Sequence, residues 1–256
     1  MTPSILHRKQ TRFHLSLVLM ATIVASGAFY LNPSIDMAVS RYFFDGEQFP
    51  LRHNGLLQAL RQANFWAGTI VIGASMALLV SRRLRNALGV SLGRTLVPLI
   101  TYGVGVGLIV NMFLKDTFGR ARPRDTLGLG GDQPLSAAWE MSQACASNCS
   151  FTSGEAAGAM AMMSLLYLIP AGRKLTRRVV QILLGTLAIS LSFNRILFGG
   201  HYLSDVVLSM LIVTIVMLAA ELLVARTRWE KFLLRRAASR LGRRENTAGI
   251  ALSPTR

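Results

Sequence analysis

The chain is poor in cysteine, poor in acidic residues and without any internal repeat. Only two cysteines occur in 256 residues, Cys145 and Cys149. Two thiols make no disulfide scaffold and no dedicated zinc site. Acidic residues number 12 against 28 Lys and Arg, a formal charge of +16. An excess of that size points to nucleic acid or to a membrane surface. The chain also lacks a soluble stretch able to carry a nucleic-acid face. It is 52% hydrophobic with a mean hydropathy of +0.42, which places it with polytopic membrane proteins. Nucleic acid is therefore excluded as a partner, and the basic excess belongs to a membrane surface.

What is there is a series of six apolar runs, near 14–31, 64–81, 95–114, 153–170, 179–198 and 202–224. They predict an all-α polytopic membrane protein with six transmembrane helices. The basic residues Arg8, Lys9 and Arg12 before the first run, and Ser26-Gly27-Ala28 within it, fit a cleaved signal peptide. The run is long for that purpose and further spans follow, so a retained span is expected. Residues 32–63 interleave aromatics with charge, as in Arg41 to Asp45, and read equally as an interfacial segment or a connecting loop. In the third run Gly103, Gly105 and Gly107 would allow close helix packing.

The organisation expected is a cytoplasmic head, 1–13, a six-span domain, 14–224, and a basic tail, 225–256. Six spans put both termini on one side, and 20 of the 28 Lys and Arg fall there. The positive-inside rule then makes the termini cytoplasmic. In the tail, Trp229, Phe232, Leu233, Ala237 and Leu241 approximate a helical stripe among arginines. This reads as an amphipathic helix on the anionic inner leaflet.

Three polar clusters interrupt the apolar pattern, and the charge-derived topology gathers all of them on the outer face. The first, Lys115 to Pro123, pairs a point-charge donor at Lys115 with a forked guanidinium at Arg122, a good fit to a phosphate dianion. The alternative is that Lys115 snorkels and Arg120, Arg122 and Arg124 bind headgroups nonspecifically. The second, Thr152 to Glu155, opens a helix whose free N–H groups suit an anion, with Gly154 admitting close approach. It also reads as a capping box with Thr152 as N-cap and Glu155 at N3. The third, Asn194 to Asp205, sets His201 and Asp205 on one helix face. An Asp accepting from one imidazole nitrogen leaves the other free to attack. The alternative is a structural His–Asp pair, and Arg195, costly at an apolar helix end, weighs against it. Cys145 and Cys149 lie in the loop placed outside the cytoplasm, where disulfides persist, and are expected to pair.

Lys115-x6-Arg122-Pro, then Ser153-Gly154, then Arg195-x5-His201-x3-Asp205 resembles the three motifs of the type 2 phosphatidic acid phosphatase (PAP2) superfamily, over about residues 95–222. The resemblance implies a PAP2-type helical core and a phosphatase that needs no metal and no cofactor. His201 would be the nucleophile forming a phosphohistidine, with Asp205 orienting it. Lys115, Arg122, Ser153, Gly154 and Arg195 would bind phosphate. Two departures stand out. Asn194 replaces the family Ser, and Glu155 replaces the His that protonates the leaving group. Glu155 would either become protonated on substrate binding and act as the acid, or stay ionised and hold a cation in place. Cys149 to Ala156, with Phe198 to Asp205, looks like the bacterial branch that includes lipid A phosphatases, the 4′-phosphatase in particular. The expected enzyme hydrolyses a lipid phosphomonoester at the periplasmic face of the inner membrane, lipid A being the preferred substrate. Undecaprenyl diphosphate, phosphatidylglycerophosphate, a lipid phosphotransferase and an inactive lipid-binding relative are the alternatives.

Overall fold

A computed structural model of the chain describes residues 3–170 and 172–225, and the tail helix expected beyond Ala225 lies outside the described residues. Helices run over Pro3–Leu31 (α1), Ser34–Tyr42 (α2), Gly55–Val80 (α3) and Arg82–Leu88 (α4). A long helix, Leu92–Thr117 (α5), follows. Gly154–Ala161 (α6) continues as a 3₁₀ stretch, Met162–Leu168, and Lys174–Leu197 is α7. Leu203–Ala225 is α8. Among the described residues there is no strand beyond two isolated bridges in the loop at 126–133.

Local chemistry sets several of these boundaries. Helix α3 starts well before its apolar run because Asn54 caps it, the side chain accepting from Leu57 N at 3.1 Å. Ser81 accepts from Leu84 N at 3.2 Å and opens α4, so the polypeptide turns at once at the basic end. In α5 the turns widen into a π-helix over Thr101–Leu114. Pro98, which lacks an N–H, precedes this stretch, and Asn111 Nδ2 back-bonds to Val106 O at 2.8 Å inside it. The three glycines do not act alike. A Cβ on Gly105 would sit 3.4 Å from Val216 Cβ of α8, whereas one on Gly103 would meet open space and one on Gly107 only its own helix. Close packing thus belongs to Gly105 alone.

Among the described residues five helices are long and apolar enough to cross a membrane: α1, α3, α5, α7 and α8. The sixth expected span is shorter than foreseen, with 8 α-helical and 7 3₁₀ residues. It is an interior element, packed on α3, α5 and α7, and its Ala156, Ala157, Ala159 and Ala161 are all buried. The outward faces of the long helices carry exposed Met20, Ile23, Ile70, Met112, Ile182 and Ile189, the surface a lipid phase would cover.

The basic loops gather at one end of the bundle. There His7 Nε2 lies 2.7 Å from Glu221 Oε1, and Arg94 Nη2 donates to Ile169 O at 2.6 Å. Helices α5 and α7 run from that end to Lys115 and Arg195 at the other. Over the second end lies the loop 118–153, held by edge-to-face packing of Phe118, Trp139 and Phe151. Trp139 Nε1 ties it to α1 by donating to Ser26 Oγ at 2.9 Å.

Candidate active site

Backbone hydrogen bonds knit the three polar clusters together. Arg124 N donates to Gly199 O at 3.1 Å, Ser150 N to Arg120 O at 2.9 Å and Ser153 N to Asp205 O at 3.3 Å. The chain reverses between α7 and α8 at Gly199, whose φ of +57° favours glycine and whose absent Cβ leaves room for the Phe49 ring. This turn delivers His201 into the interior, 2% exposed.

His201 Nδ1 lies 2.7 Å from Ser150 O. A carbonyl only accepts, so Nδ1 carries the proton and Nε2 presents a lone pair. Burial pushes the imidazole pKa down to about 3, outweighing the Asp205 carboxylate, so the neutral and nucleophilic form prevails at neutral pH. Asp205 does not hold the ring in the way the i, i+4 spacing implied. Its Oδ2 is 3.8 Å from Nδ1, beyond hydrogen-bond reach. The carboxylate is instead saturated by Arg120 Nη1 at 2.6 Å, Ser150 Oγ at 2.5 Å and Tyr202 N at 2.9 Å. Ser150, outside the three motifs, is the shared partner: its carbonyl accepts a hydrogen bond from His201 Nδ1 and its hydroxyl donates to Asp205.

Arg120 is not a headgroup contact. It is 1% exposed, its guanidinium lies between Asp205 and Asp36, and it stacks 4.2 Å above the Tyr202 ring. Burial opposes its charge, but Asp205 and Asp36 together raise its pKa above the ordinary arginine value.

At the start of α6 the cap is Ser153, whose side chain accepts from Ala156 N at 3.3 Å. The Thr152 capping box does not form. Thr152 Oγ1 is buried without a partner among the described residues, and Glu155 turns away from the helix end. Its carboxylate accepts from Arg61 Nε at 3.0 and 3.2 Å and pairs with Arg195 Nη1 at 3.3 Å. Asn64 Nδ2 fixes the same turn through Glu155 O at 3.0 Å. Gly154 leaves room here for the Asn111 side chain, which a Cβ would displace. Arg61 and Asn64 come from α3 and lay outside the motifs.

Lys115 and Arg122 converge on one residue. Lys115 Nζ donates to Asn148 Oδ1 at 3.2 Å, and Arg122 Nη2 to Asn148 O at 2.6 Å. Asn148 has a φ of +51° and lies inside the ring closed by the Cys145–Cys149 disulfide, whose Cα atoms are 5.6 Å apart. Burial lowers the Arg122 pKa, although Asp125 and Glu155 oppose that shift.

Beside these cations a cavity of about 500 Å³ opens between α3 and α5. Arg61, Lys115 and Glu155 line its polar end, and Phe65, Ile72 and Val106 its apolar wall. Among the described residues no group of His, Cys, Asp and Glu is arranged to hold a metal ion.

An interior cluster of cations around a buried neutral imidazole, at one end of a membrane helix bundle, defines a phosphate-handling membrane protein. The PAP2 superfamily model matches residues 96–230, and the chain belongs to that superfamily; it is a membrane phosphatase of this type. It is similar to lipid A 4′-phosphatases of Rhizobium leguminosarum, 33% identical over 70% of this chain and 82% of the relative, and Rhizobium etli, 32% identical over 81% and 86%. A lipid A 4′-phosphatase of Francisella tularensis subsp. novicida is 27% identical over 77% of this chain and 89% of its own. The fold is shared with the crystal structure of a transmembrane PAP2-type phosphatidylglycerolphosphate phosphatase from Bacillus subtilis, with a TM-score of 0.55, 17% identity, and coverage of 81% of this chain and 94% of that one.

Proposed function

We propose that the protein removes the 4′-phosphate of lipid A at the periplasmic face of the inner membrane, through a phosphohistidine on His201. The observation that carries this reading is the His201–Ser150 hydrogen bond, which leaves Nε2 as a buried lone pair next to a cluster of cations. The relatives at 33 and 32% identity, both lipid A 4′-phosphatases, support the substrate. The cavity supports a lipid, since one end offers cations and the other an apolar wall between helices.

In the first step Nε2 attacks phosphorus, the N–P bond forms, and the ester P–O bond breaks with its electron pair on the leaving sugar oxygen. Lys115, Arg122 and Arg195 neutralise charge on the phosphoryl oxygens, and the Ser153 hydroxyl and Gly154 amide at the α6 N-terminus add donors. Arg195 brings a spare one, because no described residue accepts from its buried Nε. Glu155 is taken up by Arg61 and Arg195 and serves to hold those guanidiniums, so the leaving oxygen takes its proton from water. Water then attacks the phosphohistidine and releases inorganic phosphate.

The test is phosphate release by purified protein from a panel of lipid phosphates, with EDTA present. Lipid A bearing both phosphates should be dephosphorylated at the 4′ position and preferred over phosphatidylglycerophosphate and undecaprenyl diphosphate. Release only from another lipid, or a strict divalent-metal requirement, would overturn the reading.

A further inference from the structure

The proposed nucleophile stands at the end of a buried chain of charges that the reaction scheme leaves unused. Asp36, on the short helix α2, is fully buried. Its Oδ2 accepts from Arg120 Nη2 at 2.8 Å and Ser204 Oγ at 2.5 Å, and its Oδ1 from Ser204 N at 2.9 Å. Ser204 Oγ accepts in turn from Arg120 Nη1 at 2.8 Å, so its own proton points at Asp36. Among the described residues only donors face the Asp36 oxygens, which fits the carboxylate form. Burial pushes this carboxyl above its usual pKa, and the Arg120 guanidinium opposes that shift. Arg120 serves Asp36 and Asp205 at once, and Asp205 Oδ2 lies 3.8 Å from His201 Nδ1.

The charge count gives this arrangement a purpose. Arg120 with Asp205 alone would be neutral, and Asp205 would exert little field on the imidazole. With Asp36 opposite, the group carries one net negative charge, and the Asp205 anion remains uncompensated beside the ring. When Nε2 bonds to phosphorus and Nδ1 keeps its proton, the ring becomes cationic, and that charge needs an anion nearby.

We propose that Asp36 is a positioning residue for the phosphohistidine chemistry: it neutralises Arg120, so that Asp205 keeps its negative charge for the ring of His201. The inference rests on His201 being the nucleophile. It makes α2 part of the reacting apparatus, although Asp36 lies far outside the 96–230 stretch that the superfamily model matches.

The test compares full-length Asp36→Asn, the double variant Asp36→Leu/Arg120→Met and His201→Ala, in detergent, on lipid A bearing both phosphates. Asp36→Asn leaves a neutral group and should lower kcat roughly 10- to 100-fold. KM, and inhibition by inorganic phosphate, should stay within about threefold, because the phosphate-binding cations are untouched. The double variant restores one net negative charge, since both partners of an ion pair are removed together. It should recover at least about tenfold in kcat over Asp36→Asn. A structural anchor would behave in the opposite way, with the double variant no better than the single one. That result, or wild-type kcat in Asp36→Asn while His201→Ala is inactive, overturns the proposal alone. An active His201→Ala would instead overturn the nucleophile on which it rests. Should Asp36→Asn not fold, the double variant still decides by comparison with wild type: kcat within about tenfold supports the charge argument, and a larger loss in protein that still binds inorganic phosphate refutes it.

Discussion

Replacing Glu155 by Gln removes one negative charge from between two guanidiniums while keeping the shape of the side chain. Arg195 Nη1 is 3.3 Å from Glu155 Oε2. At an effective dielectric of about 20 that pair is worth about 5 kcal/mol before any desolvation is counted. Solvent screens the site, since Glu155 is 30% and Arg61 47% exposed. The net effect should therefore fall in the range of a hydrogen bond to a charged group, about 1.5–3 kcal/mol, or roughly 10- to 100-fold in rate. A carboxylate that holds Arg195 in place is needed whatever the leaving group. Glu155→Gln is then expected to slow a simple alkyl phosphate and an activated aryl phosphate alike, within about threefold of each other, in parallel kcat measurements. A general acid behaves differently. Its removal costs about 10²–10⁴-fold where the leaving oxygen needs a proton, and little where the leaving group is already stable as an anion. A loss confined to the alkyl ester would refute the ionised role and make Glu155 the acid.

Three further expectations follow from the same geometry. His201→Ala and Arg195→Ala should each fall below a tenth of wild-type turnover in folded protein; a higher residual rate in either would remove that residue from the chemistry. NMR of ¹⁵N-labelled His201 should report a neutral ring protonated on Nδ1 at pH 5, because its pKa is lowered to about 3 and the charged form appears only below that value; a titration near the ordinary histidine pKa would contradict the burial argument. Opening the Cys145–Cys149 ring with reductant should lower stability by about 2 kcal/mol on the chain-entropy account. It should also raise KM, since Asn148 inside the ring bridges Lys115 and Arg122, and an unchanged melting temperature and KM would count against that coupling.

Much of this architecture was readable from hydropathy alone. Each apolar run corresponds to a helix, because a long unbroken run has few other ways to satisfy its backbone. The motif residues are brought together too: Lys115, Arg122, Ser153, Gly154, Arg195, His201 and Asp205 meet at one end of the bundle. What sequence spacing could not supply were partners recruited from far along the chain. Arg61 reaches Glu155 across 94 residues, and Asp36 reaches Arg120 across 84. Local pattern carries no trace of such pairs. A weaker signal did exist, for with 12 acidic residues against 28 basic ones, an Asp between two apolar runs has cations waiting for it. The capping box failed for a related reason. Thr152-x-x-Glu155 satisfies the local rule, but two guanidiniums compete for the carboxylate and win, and the cap moves one residue on to Ser153.

The interior position of α6 has a consequence for how its sequence is free to vary. A helix bathed in lipid must be about 20 residues long and apolar all round, since the bilayer sets both demands. The α6 segment is surrounded by protein, so its neighbours set its dimensions. It runs for 15 residues, partly in the more extended 3₁₀ form. Its side chains are small where they are most crowded, and its first turn can carry Glu155 because Arg61 and Arg195 of neighbouring helices pair with it. Bulk, more than polarity, is what this helix excludes. Ala157 or Ala159 enlarged to Leu would keep every hydropathy rule and still push apart the helices that hold the proposed phosphate site.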